Sequence, residues 1–379
     1  NIRLPTERAH GHQIMKMCEA LSKAGANVYL YHPQRQQSPA IKKSGKNPFD
    51  FYNIPPNFKI HTLPNVDIVP WEKYLPAFTG PIFGFLQNFF WALYAVRDTR
   101  KIPDAIYYTR DLTAAFWLAY FKKRFVFEIH TLPRRSLLMI KTVIGSRHLL
   151  LIAALTSFIK NKFVEWGAVE DKIIVAPDAV DLSAFKNLPS PKECRKKFNL
   201  PENVWLVGYI GRFESMGREK GVGILAEAVR QIPEVDGRKV MLLAVGGPLK
   251  MVEKYKNQQT IFFDHQPAED VPYWIRACDV VTIPWQWTEF SAYYTSPLKL
   301  FEYMAAGAPI IASDLPALRE VLNENNAVLV KAGDAGALAA GLERILKNLN
   351  LSSKIVEQAK ADVRQYTWEN RAKKILEEL

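Results

Sequence analysis

Two stretches of the chain carry residue types suited to gripping phosphate. In YYTSPLKLFEYMAAGAPIIASDLPALREV, Tyr293 to Val321, Ser296 is a good helix N-cap and Pro297 suits a first helical position. The spacing predicts a helix to Ala306 whose free N–H groups, from Ser296 through Leu298, face a phosphate. Glu302 falls one turn beyond Lys299 on the same face, where its carboxylate can accept hydrogen bonds from two ribose hydroxyls. A surface helix with an ordinary Glu–Lys pair is the alternative. In GYIGRFESMGREKG, Gly208 to Gly221, a strand runs into Gly211 and is followed by Arg212 and, eight residues on, Lys220. A planar guanidinium and a point-charge ammonium together offset the charge of a diphosphate. The alternative there is a solvated basic turn.

The elements that must position these residues follow from periodicity. Short β-branched or aromatic runs alternate with amphipathic stretches, the pattern of parallel βα units. Strands are expected at Asn27 to Tyr31, Lys59 to Leu63, Ala105 to Tyr108, Phe125 to Ile129, Leu149 to Ala153 and Ile173 to Ala176. A second series is expected at Leu206 to Ile210, Val240 to Val245, Ile261 to Phe263, Val280 to Ile283 and Pro309 to Ala312. Helices are expected at Gln13 to Ala24, Gly221 to Gln231 and Pro297 to Ala306. The Pro-containing, charged stretch near Asn187 to Asn203 reads as a linker, giving domains at 1–187 and 204–350, a linker at 188–203, and C-terminal helices at 351–379 that fold back on the first domain. The expected fold class is α/β, two facing Rossmann-like domains with parallel sheets and an inter-domain cleft for ligands.

Composition agrees with an ordinary globular protein and excludes collagen-like or low-complexity chains: 48% hydrophobic and 23% charged over 379 residues. Lys and Arg number 25 against 14 Asp and Glu up to residue 188, and 25 against 24 beyond it, so +11 of the net +12 belongs to the first half. That asymmetry points to an anionic partner for one domain, or to a merely soluble basic surface. Cys18, Cys194 and Cys278 lie far apart without a CxxC pair, which fits neither a disulfide framework nor a zinc site and suggests a reducing cytoplasm. No leader sequence is evident at Asn1. Neither Pro81 to Val96, interrupted by Gln87 and Asn88, nor Leu149 to Leu155 suffices for a membrane span.

Taken together, the chain resembles retaining glycosyltransferases of family 4, which have the GT-B fold. The resemblance rests on NIRLPTERAHGHQIMKMCEAL at the start, FEIHTLP around His130, IIVAPDAVDLSAF, the Arg212 and Lys220 pair, and FEYMAAGAPIIASDLPALREV. It implies a nucleotide-sugar donor held by the C-terminal domain, a glycan or lipid-linked acceptor held by the N-terminal domain, and neither cofactor nor metal. Donor-binding residues are then Gly211, Arg212, Lys220, Ser296, Pro297, Leu298 and Glu302. His130, Arg212 and Lys220 are the catalytic candidates, with His130 near the reacting sugar or, alternatively, a core histidine. His10 and Gly11 are placed in a first loop near donor and acceptor, and Arg110 is grouped with them. His12 reads as a helix-start residue.

Departures from the family pattern are specific. The first of its paired Glu residues is replaced by Tyr294, with Glu289 five residues earlier; Ala179 stands where Gly is usual; and a first strand would have to precede Asn1. A sugar-nucleotide epimerase or phosphorylase on the same fold is the second reading, and a non-catalytic basic membrane-binding module the third. Nothing in the sequence supports a nucleic-acid partner. The basic excess, with the aromatic and apolar residues from Trp71 to Tyr94, suggests a peripheral position on the anionic inner face of the cell membrane and polysaccharide biosynthesis there. The alternative is that Phe83, Phe85, Phe89, Phe90 and Trp91 simply cover the sheet.

Overall fold

The computed structural model describes residues 2–6, 8–67, 80–99, 102–132, 136–215 and 217–379. It divides into two compact units: Asn1–Pro177 with Trp368–Leu379, and Asp178–Thr367.

In the first unit, β1 (Tyr29–Pro33) pairs in parallel with β2 (Lys59–Leu63). A separate parallel sheet runs β3 (Tyr107–Thr109), β4 (Phe125–Ile129), β5 (Leu149–Ala154) and β6 (Ile173–Val175) in that order. All five residues of β4 are buried, as a strand covered on both faces requires, and Glu128 is its one charged member. The helix Ala9–Lys23 begins four residues before the expected Gln13, at an Arg8 that supplies no side-chain cap. His10 and Gly11, expected in a loop, therefore occupy its first turn, and His12 lies within it. The apolar stretch from Pro81 is one helix, Gly80–Thr99, and packs on the helix Leu112–Tyr120, whose N-terminus Asp111 caps through Thr113 N and Ala114 N. Among the described residues no helix is long and apolar enough to cross a membrane.

The second unit holds a seven-stranded sheet. Its members are β7 (Trp205–Ile210), β10 (Glu234–Val235), β11 (Arg238–Val245), β12 (Thr260–Phe263), β13 (Val280–Ile283), β14 (Ile310–Ser313) and β15 (Val328–Val330). Six strands are parallel in the order β12-β11-β7-β13-β14-β15, and β10 pairs antiparallel with β11. This is the nucleotide-binding order of the Rossmann fold, with its reversal of direction between β7 and β13. A small hairpin, β8 (Glu214–Ser215) with β9 (Arg218–Glu219), interrupts the path from β7 to the next helix.

The stretch expected as a linker lies inside this unit. Its helix Pro191–Lys197 has a Ser190–Glu193 capping box, and Arg195 binds Ala277 O and Asp279. The C-terminal residues divide: the helix Leu349–Asp362 packs on the second unit, whereas Trp368–Glu377 packs on Ala9–Lys23 of the first.

Candidate functional site

In doubly wound sheets the ligand site lies beyond the carboxyl ends of the strands where the order reverses, here the ends of β7 and β13. Strand β7 is followed directly by Gly211, at φ 135°, a conformation that side chains rarely adopt. Strand β11 is followed directly by Gly246, at φ 138°, and a Cβ there would strike the Gly211 carbonyl group. Two glycine turns thus pack backbone to backbone, and Arg212 leaves the first of them exposed.

The eight-residue gap between Arg212 and Lys220 is explained by the β8–β9 hairpin. It loops out and returns, so that Lys220 N donates to Phe213 O at 2.8 Å. Gly221 follows at φ 82°, where a Cβ would collide with the Pro284 carbonyl directly after β13. That close approach lays the Lys220 ammonium over the Trp285 ring, 4.9 Å from its centroid. Burial lowers the Lys220 pKa from its ordinary value.

The helix Leu298–Ala306 starts at the same place, with one correction to its expected cap. Pro297 occupies the N-cap position without a side-chain cap, and Ser296 Oγ instead accepts from Asp178 N at 2.9 Å. The first N–H groups of the helix therefore lack a side-chain cap, the arrangement in which a helix start attracts an anion. Tyr303 fixes the helix to β7: its hydroxyl accepts from Ile210 N at 2.8 Å and donates to Ile210 O at 3.2 Å. Glu302 is half-buried, and burial pushes its carboxyl up to about 7 against the opposing charge of Lys299. At position 294, the Tyr294 hydroxyl donates to Glu289 at 3.0 Å.

A second constellation occupies the first unit. Glu128 is 3% exposed and sits among Tyr108, His130, Arg110 and Arg371. Arg371, on the C-terminal helix, reaches Glu128 at 3.2 Å, Pro177 O at 2.9 Å and Ala176 O at 3.2 Å. The Arg371 and Arg110 guanidinium groups and the His130 hydrogen bond outweigh burial and hold the Glu128 carboxyl well below its ordinary range. Arg110 donates to His130 Nδ1 at 2.7 Å. Because a guanidinium can only donate, Nδ1 is the acceptor, and Nε2–H is left to donate to Glu128. Burial and the Arg110 charge lower the His130 pKa to about 4, so the ring is neutral near pH 7.

Arg110 also donates to Gln13 at 3.2 Å, which ties this cluster to the first helix. His10, likewise lowered to about 4 by burial and then by Arg110 and Arg8, adds a neutral imidazole. Gly11 has a packing role: a Cβ there would collide with the Tyr52 hydroxyl, which donates to Thr6 O at 2.7 Å. The structure thus gathers Gly211, Arg212, Lys220, Pro297, Leu298 and Glu302 in the second unit, and His10, Arg110 and His130 in the first. Sequence reasoning overlooked Trp285 and Tyr209 under the cations, and Glu128 and Arg371 behind His130. The one available signal was Glu128, a charge inside an otherwise apolar strand. Among the described residues no three His, Cys, Asp or Glu side chains come together as a metal site.

Comparison with solved structures identifies the architecture. The chain superposes on Anabaena HepE in complex with UDP with a TM-score of 0.70 at 17% identity, covering 98% of this chain and 96% of that one. It superposes on sucrose-phosphate synthase from Thermosynechococcus elongatus with a TM-score of 0.68 at 20% identity, covering 96% and 91%. The fold is GT-B, an α/β architecture of two Rossmann-like domains.

Residues 205–348 match the family described as Glycosyl transferases group 1. It is 30% identical over 206 residues to a phosphatidyl-myo-inositol mannosyltransferase of Mycobacterium leprae, covering 52% of each protein. It is 23% identical over 334 residues to a D-inositol 3-phosphate glycosyltransferase of Corynebacterium urealyticum, covering 80% of this chain and 75% of that protein. Apart from the latter, the matched stretch spans about half the length of the first of these curated relatives.

Proposed function

We propose that the protein is a retaining glycosyltransferase of family 4 that moves a sugar from a nucleotide-sugar donor to a glycan or lipid-linked acceptor. The observation that carries this reading is the convergence of Arg212, Lys220 and an uncapped helix start on the switch point between β7 and β13. The relatives named for sugar transfer, and HepE bound to UDP, support it.

In this reading the donor diphosphate lies against Gly211, with Arg212, Lys220 and the N–H groups near Ser296 to Leu298 neutralising the charge that develops as the glycosidic bond breaks. Glu302 takes the ribose hydroxyls. The acceptor attacks the face from which the diphosphate departs, and the departing phosphate accepts its proton. The protein then contributes position and electrostatics, with no carboxylate pair and no metal. His130, with both ring nitrogens engaged, acts beside the sugar as a fixed neutral ring, and Arg110 and His10 face the acceptor.

The acceptor is assigned to an anionic membrane surface on the cytoplasmic side, consistent with synthesis of a cell-surface polysaccharide precursor. The helix Gly80–Thr99 supports this by splitting its aromatic residues. Trp91 is buried and Phe89 packs on Trp117, whereas Phe83, Phe85 and Phe90 are exposed, Phe90 by 60%. Leu138, at the start of the helix Leu137–Ile144, is 78% exposed. Trp71 and the residues to Thr79 lie outside the described residues.

Mass spectrometry of a panel of UDP-, GDP-, ADP- and TDP-sugars, with and without candidate lipid acceptors and EDTA, tests the chemistry. Transfer that survives EDTA is expected. Donor turnover that needs no acceptor, or that depends on free phosphate, would favour an epimerase or phosphorylase. Sedimentation with anionic and neutral vesicles at low and high salt tests the surface, and no binding to anionic vesicles at low salt would refute it.

A further inference from the structure

Lys299 is the second residue of the helix Leu298–Ala306, and its side chain turns back toward β7. Its Nζ is buried and has no hydrogen-bond acceptor among the described residues. It stands 3.6 Å from the centroid of the Tyr209 ring, and a Cβ on Gly211 would lie 2.7 Å from it. A side chain on Gly211 would have to displace the ammonium. A buried, unpaired cation is costly, and a cation–π contact offsets only part of that cost.

Among the described residues of the second unit no group accepts a hydrogen bond from this ammonium. Lys299 is close enough to Lys220 and Glu302 to feel both electrostatically, Lys220 opposing its charge and Glu302 favouring it. Tyr209 is spent on the Arg212 carbonyl, to which its hydroxyl donates at 2.8 Å. An unsatisfied donor is thus aimed at the phosphate-binding turn itself.

We propose that Lys299 is a third cationic ligand of the donor phosphates, standing beneath Gly211 and completing with Arg212 and Lys220 a clamp that closes on the diphosphate. This rests on the donor reading above. Burial first and the Lys220 charge second hold the Lys299 pKa well below the ordinary lysine value. An arriving dianion supplies the partner that the buried ammonium lacks.

The test is calorimetric titration of UDP, GDP, ADP and TDP into the wild-type protein, Lys299→Met and Lys299→Arg. Lys299→Met is expected to bind the preferred nucleotide about tenfold or more weakly. It should melt no lower than wild type without ligand, since the substitution removes a buried unpaired charge. Lys299→Arg, which keeps the charge, should recover part of the affinity. Equal affinity in Lys299→Met, or a loss that Lys299→Arg does not recover, would return Lys299 to a packing role. Failure of wild type to bind any of the four nucleotides would overturn the donor reading and this proposal with it.

Discussion

Replacing Arg371 by Met should cost the first unit about 3 kcal/mol. The guanidinium reaches Glu128, Ala176 O and Pro177 O, and both charged side chains are about 5% exposed. Breaking a buried ion pair from one side typically costs about 3–5 kcal/mol, because the remaining charge stays buried. Arg110 at 3.4 Å and His130 still face Glu128, so the low end of that range applies here. For a unit of this size such a loss lowers the melting temperature by roughly 6–12 °C. Scanning calorimetry gives the shift, and hydrogen exchange localises it, with peptides covering Phe125–Ile129 and the C-terminal helix losing protection. The double variant Glu128→Gln with Arg371→Met removes both charges and should recover at least about 1.5 kcal/mol relative to the sum of the single changes. A loss below about 1 kcal/mol, or simple additivity, would refute the claim that this pair anchors the C-terminal helix.

Lys220→Ala and Glu302→Ala should each lower kcat/KM by at least about tenfold while leaving the circular dichroism melt in place, since each removes a charge-assisted contact worth about 1.5–3 kcal/mol; near-wild-type kinetics in both would remove the site. His130→Ala should reduce kcat more than nucleotide affinity, and an unchanged kcat would leave His130 a core residue. Stability should fall with acid: the His10 and His130 pKa values are depressed from 6.5 to about 4, so their contribution is complete above 6.5 and is lost as pH drops toward 4. A melting temperature flat across that window in the wild type would contradict the buried, neutral assignment of both rings.

The strands were legible where local pattern and burial agree. Lys59–Leu63, Phe125–Ile129 and Val280–Ile283 fall at the bounds their apolar runs predict. Strand β1 lies two residues beyond its expected start, because its extent is set by pairing with β2 and not by its own residues. Ser296 was misread for a similar reason. A Ser before a helix is normally its cap, yet here its oxygen is taken by the backbone of Asp178, 118 positions away. The early start at Ala9 carries no capping side chain to reveal it. In the candidate site, Gly211, Arg212, Lys220 and Glu302 could be proposed from sequence because their types suit phosphate and ribose. Lys299 appeared only as a partner for Glu302, since a lysine's burial depends on which turn it folds back toward. Glu128 and Arg371, 243 positions apart, could not be paired from spacing at all.

The most direct test of the central claim is a crystal structure with whichever of UDP, GDP, ADP or TDP the titration selects. The account predicts the diphosphate at the Gly211 turn within hydrogen-bond reach of Arg212, Lys220 and Lys299, and the ribose hydroxyls on Glu302. A nucleotide bound elsewhere, or with its phosphates turned away from these residues, would contradict it.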